Sequence, residues 1–426
     1  MTHSFKKVFI LILVILSSRL YAETPEPLSL STALSRAVQD NPGLAEMKAR
    51  SEAMAQIPSQ VGSLPDPVIS FNALNLPVDS FDTAQENMTQ MQGGISQAIP
   101  FPGKLALREQ AASFEAEAAA FDVVEVRWRL LRDVKRLWWT LVYLDKALSI
   151  IRINQDLLRQ FVEIAQTKYE VGEGLQQDVL LAQLELSKLF DNELKLIGAR
   201  ENTQAQLNAL LNQAADTPVK IASPIDETLP VLLAENELYQ QAESYRALLA
   251  SRRKKIDAAQ RRVALAKKDY YPDFKVGAYY GGRDNTLSGR TRADFMSMRL
   301  SMTVPLYFST KQDKALAQRR QELIQRKYAL QDEWNRVRED ISKAVSDFRQ
   351  SKNQSVLFKS GIIPQARQTV ASMLSGYQVD KVDFLNLVRS QITLYNYEIQ
   401  YWKVLTAANQ ALAQLTAMIG KEDIYE

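Results

Sequence analysis

Few side chains in this sequence are equipped for chemistry. There is no cysteine, and the one histidine, His3, stands in an N-terminal stretch that reads as an export signal. Once that stretch is removed, a Ser-His-Asp triad, a thiol nucleophile, a His/Cys zinc site and a disulfide are all excluded. Thioethers and carboxylates remain. Met296, Met298 and Met302 would suit Cu(I) as soft ligands. However, "FMSMRLSMTV" (295–304) alternates strictly, so all three share the apolar face of a strand, which meets lipid or core. Met88 and Met91 are weaker candidates still. The acids that draw notice stand beside helix breaks. Glu173 lies between Gly172 and Gly174, Asp178 follows, and Asp380 and Asp383 lie in "YQVDKVDFLNLVRSQ" (377–391). None is paired in a pocket-forming context. The residues therefore predict no catalysis, no cofactor and no resident metal.

These acids are positioned by a chain that is built twice. "YEVGEGLQQDVLLAQ" (169–183) shares its Tyr, Val, acidic and Gln positions with 377–391, at a spacing of 208. Pro65-Asp66 recurs as Pro272-Asp273, Ile99-Pro100-Phe101 as Val304-Pro305-Leu306, and Arg132-Asp133-Val134 as Glu339-Asp340-Ile341, at spacings of 205 to 207. Landmarks in constant order and spacing predict a duplication. The first repeat is placed at 23–211 and the second at 239–426. Between them lies a linker, 212–238, marked by Pro218, Pro224 and Pro230.

Each repeat follows one plan. A helix (30–60 and 236–268, with Ser31 as the first N-cap) leads to two extended stretches, a long helical region (103–171 and 310–379), a break and a returning helix. Each long region spans on the order of 100 Å as helix. Such a helix needs neighbours along its length, as in a coiled coil or a ring of helices. Pro364 is predicted to kink the second one. The fold class is mainly α with a small β part.

Residues 1–22 carry Lys6 and Lys7 ahead of an apolar run from Val8 to Leu16, with Ala22 before a cut, as a signal peptide does. The run is too short to span a bilayer. Lys6, Lys7 and Arg19 leave with it, so the 52 basic residues of the whole chain fall to 49 against 49 acids. A neutral mature chain gives no support for nucleic acid as a partner. Without an N-terminal cysteine no lipid attachment is expected at that end, and no later segment is apolar for the 18 residues of a membrane helix.

The strands give the other clue to location. In "FKVGAYYGG" (274–282), Phe274, Val276, Ala278 and Tyr280 oppose Lys275, Gly277 and Tyr279. In 295–304, Met296, Met298, Leu300, Met302 and Val304 oppose Phe295, Ser297, Arg299, Ser301 and Thr303. The first copy, at 68–76 and 88–99, alternates less cleanly. Strands of this length, apolar on one face and basic or polar on the other, suit a membrane barrel. Tyr270, Tyr271, Tyr307 and Phe308 at the strand ends suit an interfacial belt. A soluble half-buried sheet alternates identically. Four strands cannot close a barrel, whereas three chains supply 12, continued by 12 helical segments around one bore.

The duplicated plan, "ALSRAVQDNPGL" (33–44) and the paired motifs at 169–183 and 377–391 resemble the TolC family of outer-membrane efflux proteins over nearly the whole mature chain. "LPDPVISFNALNLP" (64–77) and "SQAIPFPGKLALR" (96–108) look like its heavy-metal branch, copper/silver or cobalt-zinc-cadmium. The resemblance implies a homotrimer with a 12-stranded β-barrel in outer-membrane lipid and a 12-helix α-barrel through the periplasm. It also implies a periplasmic membrane-fusion adaptor and an inner-membrane transporter of the resistance-nodulation-division (RND) type. It places the adaptor-docking tips at Val171, Gly172, Glu173, Gly174 and Leu175, and at Val379 and Lys381. Asp380 there stands where the first copy has glycine.

The resemblance also implies a periplasmic gate in which Tyr377 bonds Asp178. The family's pore-narrowing acids, nine and twelve positions after that tyrosine, fall on Asn386 and Arg389, so that ring is not reproduced. Asp380 and Asp383, nearer the mouth, are either a displaced acidic ring or a solvated turn. The function implied is a non-enzymatic exit duct for heavy-metal ions. Drug efflux, type I protein secretion and a soluble periplasmic coiled-coil scaffold are the alternatives.

Overall fold

The computed structural model describes residues 27–379 and 381–425; the expected signal peptide and Asp380 lie outside them. The chain opens with α1 (Leu30–Asp40), capped by Ser29 rather than Ser31. Ser29 Oγ accepts the Thr32 N–H at 3.1 Å, and Ser31 falls one residue inside the helix. The leading helix does not run unbroken to residue 60. Asn41 is held extended, as the residue before Pro42 must be. Its Oδ1 accepts the Leu44 N–H at 3.0 Å, starting α2 (Pro42–Ala55), and its Nδ2 donates to the Leu210 carbonyl at 3.0 Å. A short α3 (Ile57–Gly62) follows.

Two strands, β1 (Val68–Leu74) and β2 (Gln90–Ile99), lead into α4 (Lys104–Glu170), and α5 (Gln176–Leu210) returns. The second copy repeats the plan with α6 (Glu235–Tyr245), α7 (Ala247–Lys268), β3 (Asp273–Gly282) and β4 (Phe295–Thr303). Its leading helix also breaks, at the extended Arg246, so α6 begins inside the segment expected as linker. Residues 211–234 carry no helix and are tied down by the bridges Leu28–Ile221 and Leu232–Tyr425.

The long helices match in length. α4 has 67 residues, about 100 Å. Gln312 to Gln378 covers the same length as α8 (Gln312–Leu357), a π-helical turn (Phe358–Ile362) and α9 (Ile363–Gln378). The break expected at Pro364 is softened. Proline has no N–H and its ring crowds the carbonyl four residues back, and the wide turn just before it makes room. Backbone angles on both sides stay α-helical. α10 (Phe384–Ile419) returns.

In α4, Val134, Leu141, Leu144, Leu148, Ile151, Leu158 and Ala165 recur at steps of three, four and seven, all buried. In α10, Phe384, Leu387, Gln391 and Leu394 do the same. This is a coiled-coil seam, and each large apolar side chain buried in it stabilises the packing by about 1.5–3 kcal/mol. One polar pair interrupts it: Gln391 Nε2 donates to Asn154 Oδ1 at 2.7 Å in the buried interior. An amide so placed fixes register, because a slipped seam would leave it unpaired.

The sheet runs β1-β2-β3-β4, antiparallel throughout, so the two repeats meet at β2–β3. One face carries Ile69, Phe71, Ile95, Val276, Met296, Met298, Leu300 and Met302, and Phe71 and Met298 are each 85% exposed. The other face carries Ser70, Asn72, Gln92, Ser96, Lys275, Ser297, Arg299 and Ser301. Tyr279 lies on that face over Gly94, where an added Cβ would come within 2.1 Å of its ring, and the Arg299 guanidinium sits 5.1 Å from the ring centroid.

A buried lysine locks sheet to helices. Lys104 Nζ reaches Asp273 at 2.9 Å and the Tyr271 carbonyl at 3.2 Å, while Asp273 also accepts the Phe101 N–H at 2.7 Å. Tyr271, expected in an aromatic belt, stacks on Phe101 at 4.4 Å. Tyr270, Tyr307 and Phe308 lie at this same helix-proximal end of the sheet.

Candidate functional site at the helical tips

The site lies at the far end from the sheet, where α4 turns into α5 and α9 into α10. The first turn closes as a Schellman motif: the Glu173 N–H donates to the Lys168 carbonyl at 2.8 Å and the Gly172 N–H to the Tyr169 carbonyl at 3.1 Å. Gly172 takes φ +74°, which a side chain would strain. Gly174 is needed for space, since a Cβ there would lie 2.9 Å from the Lys168 Cβ.

The second tip closes with the equivalent bond, the Lys381 N–H to the Gly376 carbonyl at 2.9 Å. Here the glycine has changed sides. Gly376 stands where the first copy has Lys168, and Val382 where it has Gly174. A Cβ on Gly376 would meet the Val382 Cγ2 at 2.6 Å. The same close crossing is thus made once with the small residue after the turn and once with it before. Val171, Glu173, Leu175, Val379 and Lys381 are exposed around these turns.

Tyr377 is buried, not an open surface group. Its ring lies 5.2 Å from that of Phe384, which meets Phe161 edge-on at 6.4 Å. The Lys168 ammonium sits 4.7 Å from the Tyr377 ring centroid and donates to the Tyr377 carbonyl at 3.3 Å. Asp178 is half-buried in the first turn of α5, where the Leu175 N–H favours its charged form. Among the described residues of the single chain, no hydrogen bond joins Tyr377 to Asp178. Asp383 occupies the N-cap position of α10, and Asn386 and Arg389 are exposed on its first two turns. Burial raises the Asp178 carboxyl above its ordinary value, the Leu175 N–H opposes this, and the nearby Asp383 charge adds to it.

Sequence reasoning found the turns and the tyrosine but missed Lys168, Phe161, Phe384 and the Gly376/Val382 exchange. The available signal was the seam: Phe161 lies three residues past Leu158, and Phe384 opens the α10 series. Among the described residues, no cluster of three or more His, Cys, Asp or Glu side chains could hold a metal ion, and no helix is long and apolar enough to cross a membrane.

A duplicated helical hairpin with capped tips at one end and a two-faced antiparallel sheet at the other defines a class of duct-building protein rather than an enzyme. The chain belongs to the outer membrane efflux protein family, whose profile it matches over residues 33–213 and 238–421. It is similar to the cobalt-zinc-cadmium resistance protein CzcC of Cupriavidus metallidurans, with 22% identity over 94% of this chain and 91% of that one. Among solved structures, the outer membrane protein VceC of Vibrio cholerae superposes with a TM-score of 0.77 at 16% identity, covering 92% of this chain and 96% of that one. CusC gives 0.77 at 14% identity, covering 92% of each chain. These likenesses agree with the mainly helical fold, its small sheet and the channel class.

Proposed function

We propose that the protein is the outer-membrane exit duct of a tripartite efflux system that exports heavy-metal ions. Three copies close their sheets into a 12-stranded barrel and their helices into a periplasmic tunnel. The observation that carries this reading is the sheet. Its apolar face is exposed in one chain, with Phe71 and Met298 at 85%, and a strip of that size calls for lipid or protein against it, while its opposite face suits an aqueous bore. The metal cargo is supported by the similarity to CzcC, and a periplasmic adaptor and an RND-type transporter complete the assembly. Deleting the gene tests the cargo. Growth is expected to fail at lower cobalt, zinc, cadmium, copper or silver than in the parent. Sensitivity to drugs with unchanged metal tolerance would replace this reading with drug efflux.

The exposed tips are the adaptor's docking points, and Tyr377, Asp178, Asp383, Asn386 and Arg389 surround the mouth. Glu173→Lys is expected to reduce adaptor cross-linking while leaving trimer yield unchanged, because Glu173 lies outside every packed seam. Loss of trimer, or full cross-linking, would remove Glu173 from the docking surface.

The raised Asp178 carboxyl gives a pH dependence. A raised group favours the packed tip fully below its ordinary value of 3.8, and that contribution is lost as pH rises through the raised value. Conductance of trimers in planar bilayers is therefore expected to fall as the bath is acidified from pH 7 toward 4. Asp178→Asn is expected to give the low-conductance behaviour already at pH 7. An identical pH response in both proteins would show that another group titrates.

A further inference from the structure

A cavity of about 250 Å³ opens on the helical wall toward the sheet end of α4. Four helices pack side by side there in the order α2, α4, α7, α8, and all four line the cavity. A cavity that touches the first and the last helix of a row lies on the concave side of the row. The inference rests on the duct reading above, in which that side is the bore.

Each helix contributes one stripe. Met47, Arg50, Ser51 and Met54 recur at steps of three and four on α2, as do Glu115, Ala119 and Asp122 on α4. α7 brings Arg252, Lys255 and Arg262, and α8 brings Arg326. Five cations thus face two carboxylates. The acids are already engaged: Lys255 Nζ donates to Asp122 at 2.9 Å, as does the Ser251 hydroxyl at 2.6 Å, and Arg262 donates to Glu115. Arg252 reaches Glu333 behind the cavity at 3.3 Å, yet its Nε is buried with no acceptor. Glu322, one turn before Arg326, is taken by Arg319 and Gln318. Among the described residues, no ion pair or hydrogen bond joins Arg50 or Arg326 to a carboxylate, and both are exposed. The other side of the α4–α7 seam is balanced differently, with Lys254 on Glu117 at 2.6 Å and Lys254 and Arg261 against the Phe114 ring.

We propose that this cavity binds a small polyvalent oxyanion, a phosphate or a polycarboxylate, on the wall of the bore. Arg50 and Arg326 approach it from opposite ends of the row, and Arg252 supplies an idle donor between them. Guanidinium forks match such oxygens two at a time. The volume falls below the roughly 300–1,000 Å³ of sites for drug-sized ligands, which fits a small ion. The walls concentrate the unmatched positive charge, as a cleft of one sign does. A trimer sets three such sites at one level, so the empty duct favours anions there and opposes bare divalent cations. Filling the sites with anion removes that opposition.

The cavity lies within one chain, so binding can be measured whatever the assembly. Calorimetric titration of the purified full-length protein with inorganic phosphate, and separately with citrate, is expected to show one saturable site per chain, weakening as KCl is raised. Tighter phosphate marks a compact oxyanion as the ligand, and tighter citrate a polycarboxylate. Arg50→Gln and Arg326→Gln are each expected to weaken binding about tenfold. Arg261→Gln, on the other side of the seam, is expected to leave it unchanged. In planar bilayers under a KCl gradient, the parent is expected to prefer anions. The double variant Arg50→Gln/Arg326→Gln, or parent with phosphate added, is expected to shift the reversal potential toward cations. No saturable binding of either probe, or equal binding by parent and double variant, overturns the site. Loss of trimer in the double variant also overturns it, because the arginines would then be serving a neighbouring chain. Binding by a protein that is monomeric by native mass and forms no channel would keep the site and overturn the duct reading.

Discussion

Met298→Arg is expected to prevent insertion of the barrel into lipid bilayers, while Arg299→Met is expected to insert almost as well as the parent. The two positions are adjacent in β4 and differ only in the face they present. Met298 lies in the row Ile69–Ile95–Ala278–Met298, apolar from end to end. A guanidinium on the lipid side near the midplane costs about 2–4 kcal/mol, and a trimer places three of them. Arg299 lies in the row of Ser96 and Gly277, with its guanidinium beside the Tyr279 ring. Its removal forfeits an exposed cation–π contact, about 0.5–1 kcal/mol. Urea titration of folding into lipid vesicles reads both. Equal tolerance would mean that the exposed apolar face is covered by protein, which would favour the soluble scaffold.

The duplication was legible because its landmarks are punctuation. Prolines, the Pro-Asp pairs and the tip motifs mark places where the backbone has little choice, and such residues keep their spacing. Strand faces were legible in the second copy, where Met296, Met298 and Met302 alternate with Ser297, Arg299 and Ser301. They were harder to read in the first copy, because Gly93 and Gly94 interrupt the alternation of β2. Gly94 is there for the Tyr279 ring of another strand, a tertiary reason invisible to local pattern. The break at Asn41 could have been read from Pro42. That at Arg246 could not, because no local residue forces it; the Arg246 guanidinium lies 3.7 Å from Glu125 on α4. The tip was legible as a turn but not as a packed cluster. Tyr377 seemed a surface hydrogen-bonder until Phe161 from α4 and Phe384 from α10 were brought against the hairpin.

That cluster sets the second large effect. Phe384→Ala is expected to raise the conductance of purified trimers in planar bilayers well above the parent, with the trimer intact. Phe384 is 2% exposed and links Tyr377 to Phe161. Truncating a buried phenylalanine costs about 3–5 kcal/mol, and here the loss falls on the two tip hairpins, far from the sheet. Tip packing so weakened frees α9 and α10 to move relative to α4, with three equivalent lesions around one mouth. Tyr377→Phe retains the ring beside Phe384 and the face offered to Lys168, so a smaller change is expected from it. A large increase from Tyr377→Phe with little from Phe384→Ala would assign closure to the hydroxyl, the arrangement the family resemblance implies. Faster amide exchange over 158–168 and 377–391 in Phe384→Ala, with conductance unchanged, would show that the tips loosen without opening the duct. The constriction would then lie away from this cluster, with the exposed Asn386 and Arg389 as the next positions to vary.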